Sequence, residues 1–308
     1  MLENLIKVAL QVAMLFIMIA VGFVLGKTKM LNEKAVKCIA NVVLYVATPA
    51  VILQAFTVEE KTPEKTKNLI IVGVLTLILH VVMIILAKFL IRNKDPKVNP
   101  ILRLLVIFSN SGYMAFPLQK AILGDIGVFY GAMFVAVFNL AIWTYGLYLA
   151  SGDKKTLSFK RIILNPTIIS VILSILLYAF NLKLPGFISD AVTGLGNLNT
   201  PLPMIIIGFN LSTFPLIELF NDKRVYFPGV IRLIIFPMLA LGILYILGVR
   251  GYPLIACMVA ASAPSAAAPV MFATMYGLDA RLGSKITSLT TLVSILTMPV
   301  IVALAQAI

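Results

Sequence analysis

Apolar runs about 20 residues long, separated by short polar stretches, repeat from one end of the chain to the other. Coiled as a helix at about 1.5 Å per residue, a run of that length matches the hydrocarbon thickness of a bilayer. The pattern predicts ten spans, at about 5–26, 35–57, 68–91, 101–123, 126–150, 164–181, 188–212, 226–249, 252–276 and 282–306. The expected fold is an all-α polytopic membrane protein. Asn165-Pro166 opens the sixth span, where a proline in the first turn costs no hydrogen bond. The first run is long for the core of a cleaved leader and no small-residue cleavage site follows it, so it reads as a retained helix.

Two spans are interrupted. The fourth carries Ser109-Asn110-Ser111-Gly112-Tyr113-Met114-Ala115-Phe116-Pro117 and the ninth Ser262-Ala263-Pro264-Ser265-Ala266-Ala267-Ala268-Pro269. At membrane depth, freed backbone groups need partners, so a broken helix persists only where protein buries it or it lines a cavity. Pro117 and Pro269 each remove a backbone donor and crowd the preceding turn. They are 152 residues apart, as are Thr48-Pro49 and Thr200-Pro201. The offset equals five spans, an odd number, so a second copy would be inverted in the membrane. The expectation is two five-helix repeats, 1–152 and 153–308, with helices 4 and 9 broken and crossing. Interrupted spans at matching places in inverted repeats point to the binding site of a secondary transporter.

Composition agrees with a membrane protein: 61% of the 308 residues are hydrophobic, 12% are charged and the mean hydropathy is +1.04. A soluble domain carries roughly 25% charged residues. The net charge of +13 raises nucleic-acid binding as a function. The Lys and Arg lie mainly in short loops, however, and no aromatic–basic interleaving offers base stacking, so no nucleic-acid partner is expected. Of the 25 basic residues, 18 fall nearest the loops after spans 1, 3, 5, 7 and 9 and the other 7 nearest the remaining ends. That bias places the odd loops in the cytoplasm and both termini outside, in a multi-pass protein of the cell membrane. Cys38 and Cys257 sit in apolar runs without a spacing motif, so neither a disulfide nor a metal site is expected.

The candidate substrate-binding residues follow from the breaks: Asn110, Ser111, Gly112, Pro117, Lys120, Ser262, Pro264, Ser265 and Pro269. The half-helix after each proline presents its N-terminus, with partial positive charge and free N–H groups, towards the midplane. Two such ends would hold an anion without a fixed cation. Asn110 either hydrogen-bonds a substrate carboxylate or joins helices. Ser262 occupies its repeat-equivalent position, and Ser265 lies between two prolines. Lys120 either offers a cation or snorkels to the surface. Arg103 and Arg232 read as anchors near span ends. His80, alone mid-span, is a proton relay or a neutral packing histidine. Asp and Glu are missing from the span cores, which argues against a carboxylate-based Na⁺ or H⁺ site. No His-Glu-x-x-His, nucleotide-binding glycine loop or Gly-x-Ser-x-Gly motif occurs, so neither an enzyme nor a cofactor is expected.

The whole chain resembles the auxin efflux carrier family, the bacterial relatives of the plant PIN auxin carriers. The resemblance rests on Ser109-Asn110 followed by Phe116-Pro117-Leu118-Gln119-Lys120-Ala121, on Asn165-Pro166, and on Ala263-Pro264-Ser265-Ala266-Ala267-Ala268-Pro269-Val270-Met271-Phe272-Ala273. It implies a scaffold and homodimer contact from spans 1, 2, 6 and 7, and an elevator-like transport domain from spans 3–5 and 8–10. It makes Asn110, Pro117, Pro264 and Pro269 crossover residues. The implied substrate is a small organic anion such as a dicarboxylate of the malate or malonate type, or an auxin-like acid. Ser109 and Ser265 stand where plant carriers commonly have Pro and Gln. Two other readings remain: a Na⁺- or H⁺-coupled symporter using His80 or backbone carbonyls, and a membrane sensor that transports nothing.

Overall fold

A computed structural model of the chain describes residues 2–156, 164–215 and 217–308. Thirteen helices carry the architecture: α1 Leu2–Lys27, α2 Glu33–Val58, α3 Pro63–Leu90, α4 Asn99–Ile107, α5 Ala115–Leu123, α6 Asp125–Ser151, α7 Pro166–Ala179, α8 Gly186–Gly196, α9 Pro201–Ser212, α10 Lys223–Ile246, α11 Gly251–Ser262, α12 Ala268–Tyr276 and α13 Ala280–Gln306. Six of them (α1, α2, α3, α6, α10 and α13) are long and apolar enough to cross a membrane, and α7 and α11 are shorter apolar helices. The fourth, seventh and ninth apolar runs each divide into two helices. Among the described residues the one β feature is an isolated antiparallel bridge, Ser109 with Ser265. The link around 157–163, with Lys160 and Arg161, lies outside the described residues.

Helix starts follow local chemistry. The Asn32, Thr62, Asn165 and Asp279 side chains accept from N–H groups in the first turns of α2, α3, α7 and α13, satisfying donors that a helix start leaves free. Pro63 and Pro166 follow two of these caps at the first helical position. Prolines also explain two widened turns inside long helices. The π-helical turns Val43–Ala47 and Ile231–Ile235 are followed two residues on by Pro49 and Pro237. Each ring crowds the carbonyl four residues back, which lies in the widened turn.

Burial grades from edge to centre. In the apolar stretch of α1, 22% of residues are buried inside the protein, against 67% for α6 and 61% for α13. α1 therefore turns most of its surface outward, while α6 and α13 enclose α4, α5, α11 and α12. On the outer side α1 packs closely on α9. A Cβ at Gly22 would fall on the Ile205 carbonyl, and one at Gly208 on the Ile19 carbonyl. Small residues of this kind let membrane helices touch backbone to backbone.

Candidate functional site

The two interruptions meet. α4 ends at Ile107 and α11 at Ser262, and the extended residues beyond them run antiparallel. The Asn110 N–H donates to the Pro264 carbonyl at 2.7 Å and the Ala266 N–H to the Phe108 carbonyl at 2.9 Å. The groups freed by one break thus satisfy those freed by the other, so the two form one buried crossing. Ser265 stitches it twice: its Oγ donates to the Leu105 carbonyl at 2.8 Å, and its N–H donates to Thr290 Oγ1 on α13 at 3.2 Å.

Beyond the crossing the chain re-enters helix. Pro117 lies at the third residue of α5 and Pro269 at the second of α12. Both prolines therefore start the second half-helix, and the break precedes them. A first turn needs no amide from its own residues. Asn110, Ser111 and Gly112 lie in the short link before α5, separated from it by Tyr113 and Met114. Asn110 and Ser111 are 4% and 1% exposed. The Ser111 hydroxyl has no hydrogen-bond partner, while the Asn110 main chain donates to Pro264 and accepts from Met114. The Gly112 carbonyl accepts from Asn199 Nδ2 at 3.1 Å, and Asn199 Oδ1 accepts from Thr48 at 2.8 Å. This chain ties α2 and the α8–α9 junction to the crossing.

The other candidates separate by position. Ser262 Oγ bonds the Val259 carbonyl of its own helix at 3.3 Å. Pro264 contributes its carbonyl to the bridge. Lys120 lies on the outer part of α5, half-exposed and paired with Asp125. His80 is buried, its Nδ1 2.8 Å from the Thr76 carbonyl, which can only accept, so this nitrogen carries the proton. Phe108, Phe134 and Phe138 surround its ring at 5.7–6.2 Å. That geometry suits packing.

Arg232 corrects the sequence reading. It is no surface anchor but the largest fully buried side chain, 1% exposed. It reaches the Val106 and Ile107 carbonyls at 3.2 and 3.3 Å, the Ala263 carbonyl at 3.2 Å, and the Ala261 carbonyl. Its signal in the sequence is an arginine just inside the start of an apolar run, with no acid among its immediate neighbours. Arg103 donates from Nε to the Ile91 carbonyl at the end of α3 at 3.2 Å.

Away from the crossing, the start of α10 meets the start of α13 in an ion-pair cluster. Arg224 grips Asp222 through two bonds of 2.9 and 2.8 Å. Lys285 lies 3.4 Å from both Asp222 and Glu218, and Arg281 bonds Glu218 at 2.8 Å. The Arg224 hydrogen bond holds the Asp222 carboxyl well below the usual carboxylate range.

A family model described as membrane transport protein matches residues 7–159 and 154–302. The chain belongs to this transporter family. Its motif resemblance to auxin efflux carriers is upheld, and it is a transporter rather than an enzyme. It is 25% identical over 298 residues to an uncharacterized transporter of Methanocaldococcus jannaschii, covering 92% of this chain and 94% of that one. A similar match, 26% over 289 residues, covers 92% of this chain and 93% of an uncharacterized transporter of Methanothermobacter thermautotrophicus. Auxin efflux carrier component 1 of Arabidopsis thaliana is 23% identical over 122 residues, which is 38% of this chain and 20% of the plant protein. The several apolar helices and the family together describe a multi-pass membrane transporter.

Proposed function

We propose that this transporter is a secondary carrier for a small organic anion, with a dicarboxylate of the malate or malonate type as the leading substrate class. The observation that carries the reading is the buried, unpartnered Ser111 hydroxyl beside the buried Asn110, a few residues before a half-helix at the crossing of the two breaks. The N-termini of α5 and α12 would supply positive potential and amide donors to a carboxylate. The Asn110 NH₂ and the Ser111 hydroxyl would donate to its oxygens. Both residues are covered in the described conformation, so a substrate reaches them only when neighbouring helices part. That requirement favours alternating access over a permanent pore.

The reading extends to architecture. We take the chain as ten spans in two inverted repeats, 1–152 and 153–308. Helix starts support it: Asn99 and Gly251, Ala115 and Ala268, and Asp125 and Ala280 begin matching elements at nearly constant separation. Spans 1, 2, 6 and 7 would form the scaffold and the homodimer contact. Spans 3–5 and 8–10 would move as the transport domain of an elevator, with both termini outside the cell membrane. The Thr48–Asn199–Gly112 chain would then be the bond between fixed and moving parts.

Uptake into proteoliposomes of labelled malate, malonate and an indole acid, with and without ion gradients, tests the proposal. Saturable uptake of a dicarboxylate without a Na⁺ gradient is expected. Absence of flux for all three acids would sink the anion reading. Uptake that collapses when Na⁺ and pH gradients are removed would transfer the protein to the symporter class.

A further inference from the structure

The crossing has a second face that the anion reading leaves unused. On that face α4 and α11 arrive with their C-terminal ends. A helix C-terminus leaves carbonyls without partners and carries partial negative charge. Carriers built from broken helices use such ends, together with unwound backbone carbonyls, to coordinate the dissociable cation that couples transport. A cation is already present here, and it is covalently attached.

The Arg232 guanidinium spreads its bonds over both half-helices. Nη1 donates to Val106 and Ile107 at 3.2 and 3.3 Å, Nε to Ala263 at 3.2 Å, and Nη2 to Ala261. All four acceptors are backbone carbonyls. Among the described residues no carboxylate lies within ion-pairing reach of Arg232. An ionised side chain inside a membrane protein is costly and pairs with acids or carbonyls in the protein interior. Here the carbonyl dipoles alone compensate it. The π-helical turn Ile231–Ile235 holds the residue. Beside the guanidinium a cavity of about 10 Å³, lined by His80, Ser109, Phe134 and Arg232 among others, leaves room for about one water.

We infer that Arg232 is a tethered cation filling the carbonyl cage where a carrier of this architecture would bind its coupling ion, so that this protein needs no Na⁺ at the crossing. The inference rests on reading the crossing as a transport site. It assigns Arg232 as a positioning residue: it neutralises the two C-terminal ends and fixes the bridge, and so sets where Asn110 and Ser111 stand.

Thermal unfolding of the purified full chain tests this without any substrate, so a wrong substrate class and a wrong role for Arg232 fail in different assays. Wild type, R232A and R232K would be compared in sodium chloride and choline chloride at equal ionic strength, about 150 mM. The wild-type Tm is expected to differ by less than about 1 °C between the salts. R232A is expected to melt lower in choline and to regain about 3 °C or more with Na⁺, K⁺ or methylguanidinium, the last being the excised group itself. R232K retains a charge and is expected to fall between the two in choline. Stabilisation of the wild type by Na⁺, or an R232A protein indifferent to all three cations, overturns the inference. If R232A yields no folded protein, the wild-type Na⁺ titration decides alone: a flat response supports the tethered cation, and a rising one rejects it.

Discussion

The break at Ser109–Ser111 and the break at Ala263–Ser265 pair with each other, yet they use their side chains in opposite ways. In the second, Ser265 Oγ bonds Leu105, Ser262 Oγ bonds Val259, and the rest are alanines and prolines. In the first, Asn110 and Ser111 are buried, and the Ser111 hydroxyl has no partner. An unsatisfied buried polar group costs free energy that a purely structural position has no reason to carry. On the proposed reading, one break holds the crossing shut while the other would offer groups to a substrate. Under the proposed repeat, one plan has been finished asymmetrically.

The largest expected effect breaks the offering side. Asn110→Ala should lower dicarboxylate uptake about tenfold or more, the loss of a hydrogen bond to a charged group, with Tm nearly unchanged. Uptake equal to wild type would place the ligand elsewhere. On the holding side, Ser265→Ala leaves the Leu105 carbonyl without its side-chain donor. A destabilisation of about 1–2 kcal/mol is expected, with substrate affinity preserved in the folded fraction. Denaturant unfolding beside binding measurements separates the two. Ser111→Ala removes a buried hydroxyl that bonds nothing in the protein, so it should leave stability equal or slightly higher and weaken binding only a few-fold. A clear fall in stability would move Ser111 to the holding side.

The smallest effect lies outside the crossing and serves as its control. Asp222 has its folded carboxyl pulled below the ordinary value by Arg224, so its contribution is present at neutral pH and shrinks as pH falls below about 4 towards the lowered value. Asp222→Asn should therefore flatten the acid limb of the stability curve without altering uptake at pH 7. Thermal melts across that acid range provide the check.

The long helices were legible because a bilayer demands runs of fixed length, and such runs are visible without knowing any contact. The breaks were legible because small polar residues stand inside those runs just before Pro117 and Pro269, which restart the helix. Arg232 was misread for a physical reason. Its distance to the nearest loop is short in sequence, but its partners lie 126 and 29 residues away, and only the packed helices turn that position into a centre. Asn199 went unnoticed beside Thr200-Pro201 for the same reason: its partner Thr48 is 151 residues distant. Lys120 was left between two roles, and its pairing with Asp125 accounts for the surface one. Local pattern locates elements and interruptions, while the use of a polar side chain depends on what the rest of the chain brings to it.

The contact between α1 and α9 has a mechanical consequence. At Gly22 and Gly208 the two backbones touch with no side chain between them. Sliding one helix along the other by one turn, about 5.4 Å, in the sense that brings Met18 to the place of Gly22, would carry a side chain into a gap that admits only hydrogen. The seam therefore behaves as a keyed joint. It resists that slip, so these two helices keep their relative position.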